Sequence, residues 1–107
     1  MWIFTQRAFL SVVEDKEDPG LLLVRARVKG DIEKHFQNAI VFSTPDHDYA
    51  YRSRLPRREV ADVIAKTVLD DLDYDNFKAA VEDHRRSPWY MNVWTAMAGM
   101  QHALKEA

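Results

Sequence analysis

The chain contains no cysteine. Disulfides, thiolate nucleophiles, cysteine-ligated zinc and iron–sulfur clusters are excluded together. Glycine is scarce at three residues, and proline stands at four. Three isolated glycines cannot build a phosphate-cradling loop, and the composition is neither fibrous nor that of a disordered chain. Long apolar runs are missing too. The longest, such as residues 21–24 and 39–42, fall far short of the roughly 20 residues that a bilayer requires. The apolar start "MWIFTQRAFLSVVED" is cut by Gln6 and Arg7 and has no basic leader. It reads as strand instead of signal peptide, and a cytoplasmic location without membrane contact is expected. Positive charge is also short overall: 15 Lys and Arg against 17 Asp and Glu leave a net charge of -2.

What is present suits one domain over residues 1–107, with 47% hydrophobic and 30% charged residues and enough length for a single core. The first half has the period of strands. "WIFT" and "AFLSVVE" are short and rich in β-branched and aromatic residues, and "DKEDPG" is a polar turn. In "LLLVRARVKG", Leu22, Val24, Ala26 and Val28 alternate with Arg25, Arg27 and Lys29, as in a strand with one buried and one wet face. "GDIEKHFQN" predicts a short helix with Asp31 as N-cap and Ile32 and Phe36 on one side. "AIVFSTP" predicts a further strand. In "YAYRSRL" the set Tyr49, Tyr51, Ser53 and Leu55 opposes Ala50, Arg52 and Arg54.

The second half switches to a helical period. "RREVADVIAKTVLDDL" aligns Val60, Val63, Ile64, Val68 and Leu72, with Pro56 near the first turn. "DYDNFKAAVEDH" predicts a second short helix capped by Asp73. In "SPWYMNVWTAMAGMQHALKE" Ser87 is expected as N-cap and Pro88 at the first helical position, and Tyr90, Val93, Trp94, Met97, Gln101 and Leu104 form a stripe that is apolar except at Gln101. Strands followed by helices imply an α+β fold: an antiparallel sheet of about four strands with about three helices on one face. Val24, Ala26, Val28, Val60, Ile64, Val68, Phe77, Val93, Trp94 and Met97 are expected to share one core.

Read in order, "MWIFT", "FLSVV", "LLLVRARVKGDIE", "STPDHDYAYR", "LDYDNFK" and "YMNVWTAMAGMQ" resemble a family of small bacterial hypothetical proteins of unknown function. The resemblance runs from Met1 to about Gln101. It implies one intact domain and brings no activity, cofactor or catalytic residue with it.

The densest chemical feature is "YRSRLPRRE", with four arginines in nine residues of a slightly acidic chain. Residues 1–58 hold ten basic and eight acidic residues, and residues 59–107 hold five and nine, which places opposite charge on opposite faces. Arg25, Arg27, Arg52 and Arg54 should line the wet sheet face. Arg57 and Arg58 should lie in the first turn of a helix, where free N–H groups and cations together suit an anion. The bland alternative pairs Arg58 with Asp62 and the strand arginines with neighbouring acids.

Other patterns are weaker. Asp71, Asp73, Asp75 and Glu82 match positions 1, 3, 5 and 12 of a calcium loop. However, Asn76 replaces its glycine, Lys78 replaces an apolar residue, and there is no second copy, so no metal is expected. His47 sits between Asp46 and Asp48, while His35, His84 and His102 are scattered without metal-ligand spacing. No serine has a nucleophile-elbow setting. The sequence thus predicts no catalytic residue and no cofactor. It predicts a non-enzymatic binding module that meets an anionic partner or acidic protein surface, including another copy, through Arg25, Arg27, Arg52, Arg54, Arg57 and Arg58. One alternative is a nucleic-acid-binding protein that stacks bases on Phe9 or Tyr49; the pI near 6.0 weighs against it. The other is a small enzyme with an unrecognised site, for which a pocket joining His47 to the arginines would speak.

Overall fold

The computed structural model of the chain describes residues 1–105. The elements are β1 (Trp2–Phe4), β2 (Phe9–Glu14), β3 (Leu21–Ala26), α1 (Asp31–His35), β4 (Phe42–Ser43), β5 (Tyr51–Pro56), α2 (Arg57–Asp71), α3 (Phe77–Ala80) and α4 (Ser87–Ala103). One antiparallel sheet runs in the order β1-β2-β3-β5-β4. The fold is α+β, with five strands where about four were expected and four helices where about three were. The strand expected from "AIVFSTP" shrinks to the two residues of β4. The chain forms two compact units, Met1–Asp73 and the segment from Tyr74 onward.

In the first unit, turn chemistry sets the strand ends. The Asp15 carboxylate accepts from the backbone N–H groups of Glu17 and Asp18, and the Asp18 carboxylate accepts from Gly20. This is the local bonding that lets aspartate compete with regular structure. Gly30, at φ 92, occupies the cap position of α1, a left-handed conformation that glycine adopts without steric cost. Asp31 is therefore inside the helix instead of capping it. Its buried carboxylate accepts from the Phe9 N–H at 3.1 Å and ties α1 to β2. Pro56 closes β5 and leads into α2 with φ already fixed.

The core joins Leu10, Val12, Val24, Ala26 and Leu55 of the sheet to Ile32 of α1, to Phe36 just after it and to Val60 of α2, with Val63 and Ile64 packed against them. Two expected members from the first unit are missing, and the four from the second, Phe77, Val93, Trp94 and Met97, are absent from it as well. Val28 is 49% exposed, because β3 ends at Ala26 and a turn leads into α1. Val68 is 54% exposed, because only the earlier turns of α2 meet the sheet. Thr5 fixes the β1–β2 turn by accepting from the Arg7 and Ala8 N–H groups, and its Oγ1 lies 2.8 Å from His35 Nε2.

In the second unit, Asn76 caps α3 by accepting from the Ala79 N–H at 3.2 Å, in place of the expected Asp73. Arg86 takes the cap position of α4 without a side-chain bond, so Ser87 is its first residue, with proline in the first turn. Phe77 stacks on Tyr90 at 5.8 Å. Trp94 and Met97 are 54% and 48% exposed and do not belong to the sheet core, nor does Val93. The stripe on α4 has the right period, but periodicity does not say against what a helix packs.

These contacts have measurable consequences. Ile32→Ala should cost about 2–5 kcal/mol, as other buried large-to-small changes do, while Leu69→Ala, at a position 82% exposed, should stay within about 0.5 kcal/mol. Denaturant titrations of both variants check this. Burial, reinforced by Arg7, pushes the His35 imidazole below its ordinary 6.5, against the opposite pull of Asp71 and Asp31. The unfolded chain then binds the proton more readily, so stability is full above that value and falls as pH drops through it toward the folded value. Urea midpoints between about pH 7 and 5 should fall less for His35→Gln than for the wild type.

Candidate anion-binding groove

Sheet register places the arginines. Directly opposed residues in antiparallel strands point to the same face, and Ser11 faces Arg25, which faces Arg52. One step along, Leu23 faces Arg54. The face away from the core therefore carries Arg25, Arg52 and Arg54 side by side, and Arg27 follows just beyond the end of β3. These four come together as expected.

Residues 44–50 form the wall beside them. Thr44 Oγ1 donates to the Tyr49 carbonyl at 2.6 Å, and the Thr44 N–H donates to the Ala50 carbonyl at 2.7 Å. The loop so held presents Asp48 and Tyr49 to the sheet. Arg52 Nη2 bonds the Asp48 carboxylate at 3.1 Å, and Arg27 Nη1 bonds the Asp48 carbonyl at 2.7 Å. Arg25 and Arg27 lie over the Tyr49 ring at 4.5 and 4.3 Å. Strand alternation assigned Tyr49 to the face of Tyr51 and Leu55. The structure corrects this, because β5 begins only at Tyr51 and the loop before it has no strand period.

The remaining arginines differ. Arg54 Nε bonds Asp15 at 2.9 Å, and the Arg54 guanidinium carbon lies 5.4 Å from the Phe42 ring centroid. Arg57 turns back to Glu14 at 2.6 Å and to the Pro19 carbonyl, while its own N–H donates to Gly20. It does not line the groove, though its partner Glu14 does. Arg58 pairs with Asp62 along the helix at 3.2 Å, and its side chain is 88% exposed. It plays no part in the groove.

A concavity of about 380 Å³ opens over this face, lined by the cations Lys16, Arg25, Arg52 and Arg54, by His47 and by the acids Glu14, Asp15 and Glu17. Arg52 pairs with Asp48 and Arg54 with Asp15. Arg25 has no carboxylate partner among the described residues. Its Nη2 donates to the neutral Ser11 hydroxyl at 2.7 Å, and the Nε atoms of Arg25 and Arg52 are both buried without a hydrogen-bond partner. Sequence reasoning missed the holding role of Ser11, which rests on a cross-strand contact, and of Asp48, which rests on the path of the loop before β5. Among the described residues, no three His, Asp or Glu side chains converge as metal ligands. Asp71, first of the calcium-loop positions, pairs with Arg7 at 3.2 Å. Tyr49 is 3% exposed and Phe9 stacks on Phe4 at 4.5 Å, so the Tyr49 ring offers no free face to a base. No family model matches the chain, and neither a curated protein nor a solved structure matches it.

Burial acts to raise the Asp15 carboxyl, but bonds from Arg54 and the Glu17 and Asp18 N–H groups outweigh it and hold the group below its ordinary 3.8. Its contribution is therefore complete above that value and lost as pH falls through the lower folded value. Urea midpoints taken between about pH 5 and 2 should drop more steeply for the wild type than for Asp15→Asn.

Proposed function

We propose that the protein is a non-enzymatic binding module that receives one anionic group of a partner in the groove over Arg25 and Arg52. The observation that carries this reading is the state of Arg25. It stands opposite a second arginine, lacks a carboxylate partner among the described residues, and leaves a buried Nε unbonded, as Arg52 does. Like charges placed directly opposite are destabilising. A buried N–H without an acceptor costs about 1–3 kcal/mol. An incoming carboxylate or phosphate relieves the repulsion, since its oxygens match the outward nitrogens of a planar guanidinium. Because Arg52, Arg54 and Arg57 already hold acids, the groove suits a single anionic group on an acidic protein surface better than a long run of phosphates. The net charge of -2 agrees with that preference.

A second reading, a small enzyme acting on an anionic substrate, is favoured by one observation: His47 borders the same groove as Arg25, Arg52 and Arg54. A histidine beside bound phosphate or carboxylate has the chemistry of a general acid or base.

Thermal unfolding in phosphate and in chloride at matched ionic strength tests the first reading. Phosphate should raise the wild-type midpoint beyond chloride, and a ligand at ten times its Kd adds about 1.4 kcal/mol of stability. The Arg25→Ala/Arg52→Ala double variant should lose that excess, while Arg58→Ala should keep it. Equal protection of all three proteins by both salts would remove the reading. Turnover of a phosphomonoester that His47→Ala abolishes would select the enzyme instead.

A further inference from the structure

Strand β3 opens with Leu21, Leu22 and Leu23, and alternation turns only Leu22 inward, where it packs against the core. Leu23 lies on the outer face, directly across from Val13 of β2 and Arg54 of β5. Val13 and Leu23 stand outside the core cluster, half-buried, and both line the groove of Arg25 and Arg52. Leu23 and Arg25 are same-face neighbours on one strand, roughly 7 Å apart. Aliphatic carbon is disfavoured in water. An aliphatic pair here makes one half of a site whose other half is the guanidinium without an acid.

We infer that the groove seats the C-terminal residue of a partner chain, its α-carboxylate on Arg25 and Arg52 and a leucine-sized side chain over Leu23 and Val13. The assignment rests on the anion reading and narrows its single anionic group to a chain end. In a terminal residue the carboxylate and the side chain leave the same carbon, so two subsites this close are filled together. The loop over residues 44–50 stands beside the arginines, where Asp48 bonds Arg52 and the Tyr49 ring lies against Arg25. A chain entering over the aliphatic pair stops there. An internal Asp or Glu would have to carry its chain on into that wall. Charge selects a single carboxylate. Arg52 and Arg54 are answered by Asp48 and Asp15, and Lys16 is flanked along the chain by Asp15 and Glu17, which leaves one unanswered guanidinium. Glu14 and Glu17 also line the groove, and their carboxylates are acceptors for the N–H of a peptide.

Calorimetric titration of the full chain with N-acetyl-leucine, N-acetylglycine, N-acetyl-leucinamide, 4-methylpentanoate and inorganic phosphate tests this. N-acetyl-leucine should bind roughly four- to ten-fold tighter than N-acetylglycine, the effect of half-burying a leucine side chain. The leucinamide, which lacks the charge, should show no binding. 4-Methylpentanoate, which lacks the peptide N–H, should bind more weakly than N-acetyl-leucine. Leu23→Ser should erase most of the preference for leucine over glycine, and Val13→Thr, which keeps the shape, should reduce it; both should keep the wild-type affinity for phosphate. Arg25→Ala should lose every anion, and Arg58→Ala none. Phosphate that binds through Arg25 while N-acetyl-leucine binds no tighter than N-acetylglycine overturns the inference and leaves the anion reading standing. If neither phosphate nor any carboxylate binds, the anion reading falls and the chain-end assignment with it. Leucinamide or 4-methylpentanoate binding as tightly as N-acetyl-leucine overturns the chain-end assignment alone.

Discussion

The two-residue repeat of β3 is the constraint on which the first unit depends. β3 lies between β2 and β5 and must serve a core and a wet face at once. Val24 and Ala26 are fully buried, so Arg25 between them points away. A slip of one residue would carry Arg25 into the core and the valine out of it. Burial of the apolar set therefore fixes which residues of β2 and β5 stand across from Arg25, and those are Ser11 and Arg52. The crowding of positive charge on the outer face is a consequence of hydrophobic register.

That crowding is tolerated because one short loop answers it. Asp48 offers its carboxylate to Arg52 and its carbonyl to Arg27, while the next residue lays its ring against Arg25 and Arg27. A guanidinium over an aromatic ring contributes about 0.5–2 kcal/mol, more as water is removed. The loop in turn is held by Thr44, whose hydroxyl and N–H reach across it. Arg25 receives the least of this support, a ring and a serine hydroxyl, and that imbalance singles it out chemically.

The alternation of Leu22, Val24 and Ala26 against Arg25, and of Ser53 and Leu55 against Arg52 and Arg54, was legible in the sequence because strand period and burial coincide there. So were Ile32 and Phe36, one helical turn apart on a buried face. Tyr49 was not legible, since alternation extended two residues too far and the loop has no period to read. Asp31 resembles a cap by composition, yet the glycine before it takes the left-handed position and leaves the aspartate to bond across to β2. The α4 stripe had a readable period but no readable partner: apolar spacing says that a face wants covering and is silent on what covers it. Of the site, sequence gathered the four sheet arginines. Separating them from Arg58 took the distance to Asp62, and ranking Arg25 first took the missing acid.

The two rims of the sheet are its shortest strands, β1 with three residues and β4 with two. A rim strand exposes unpaired backbone donors and acceptors on which another chain can add as a further strand, and a long flat rim is a template for aggregation. Here each rim ends before it can offer more than one or two such bonds. The six-residue strands β2, β3 and β5 lie inside the sheet order, but β4 covers β5 only at Tyr51 and Arg52. The stretch of β5 left without a strand beside it ends in Pro56, which has no N–H to offer a foreign strand, so any cross-chain pairing there stays short.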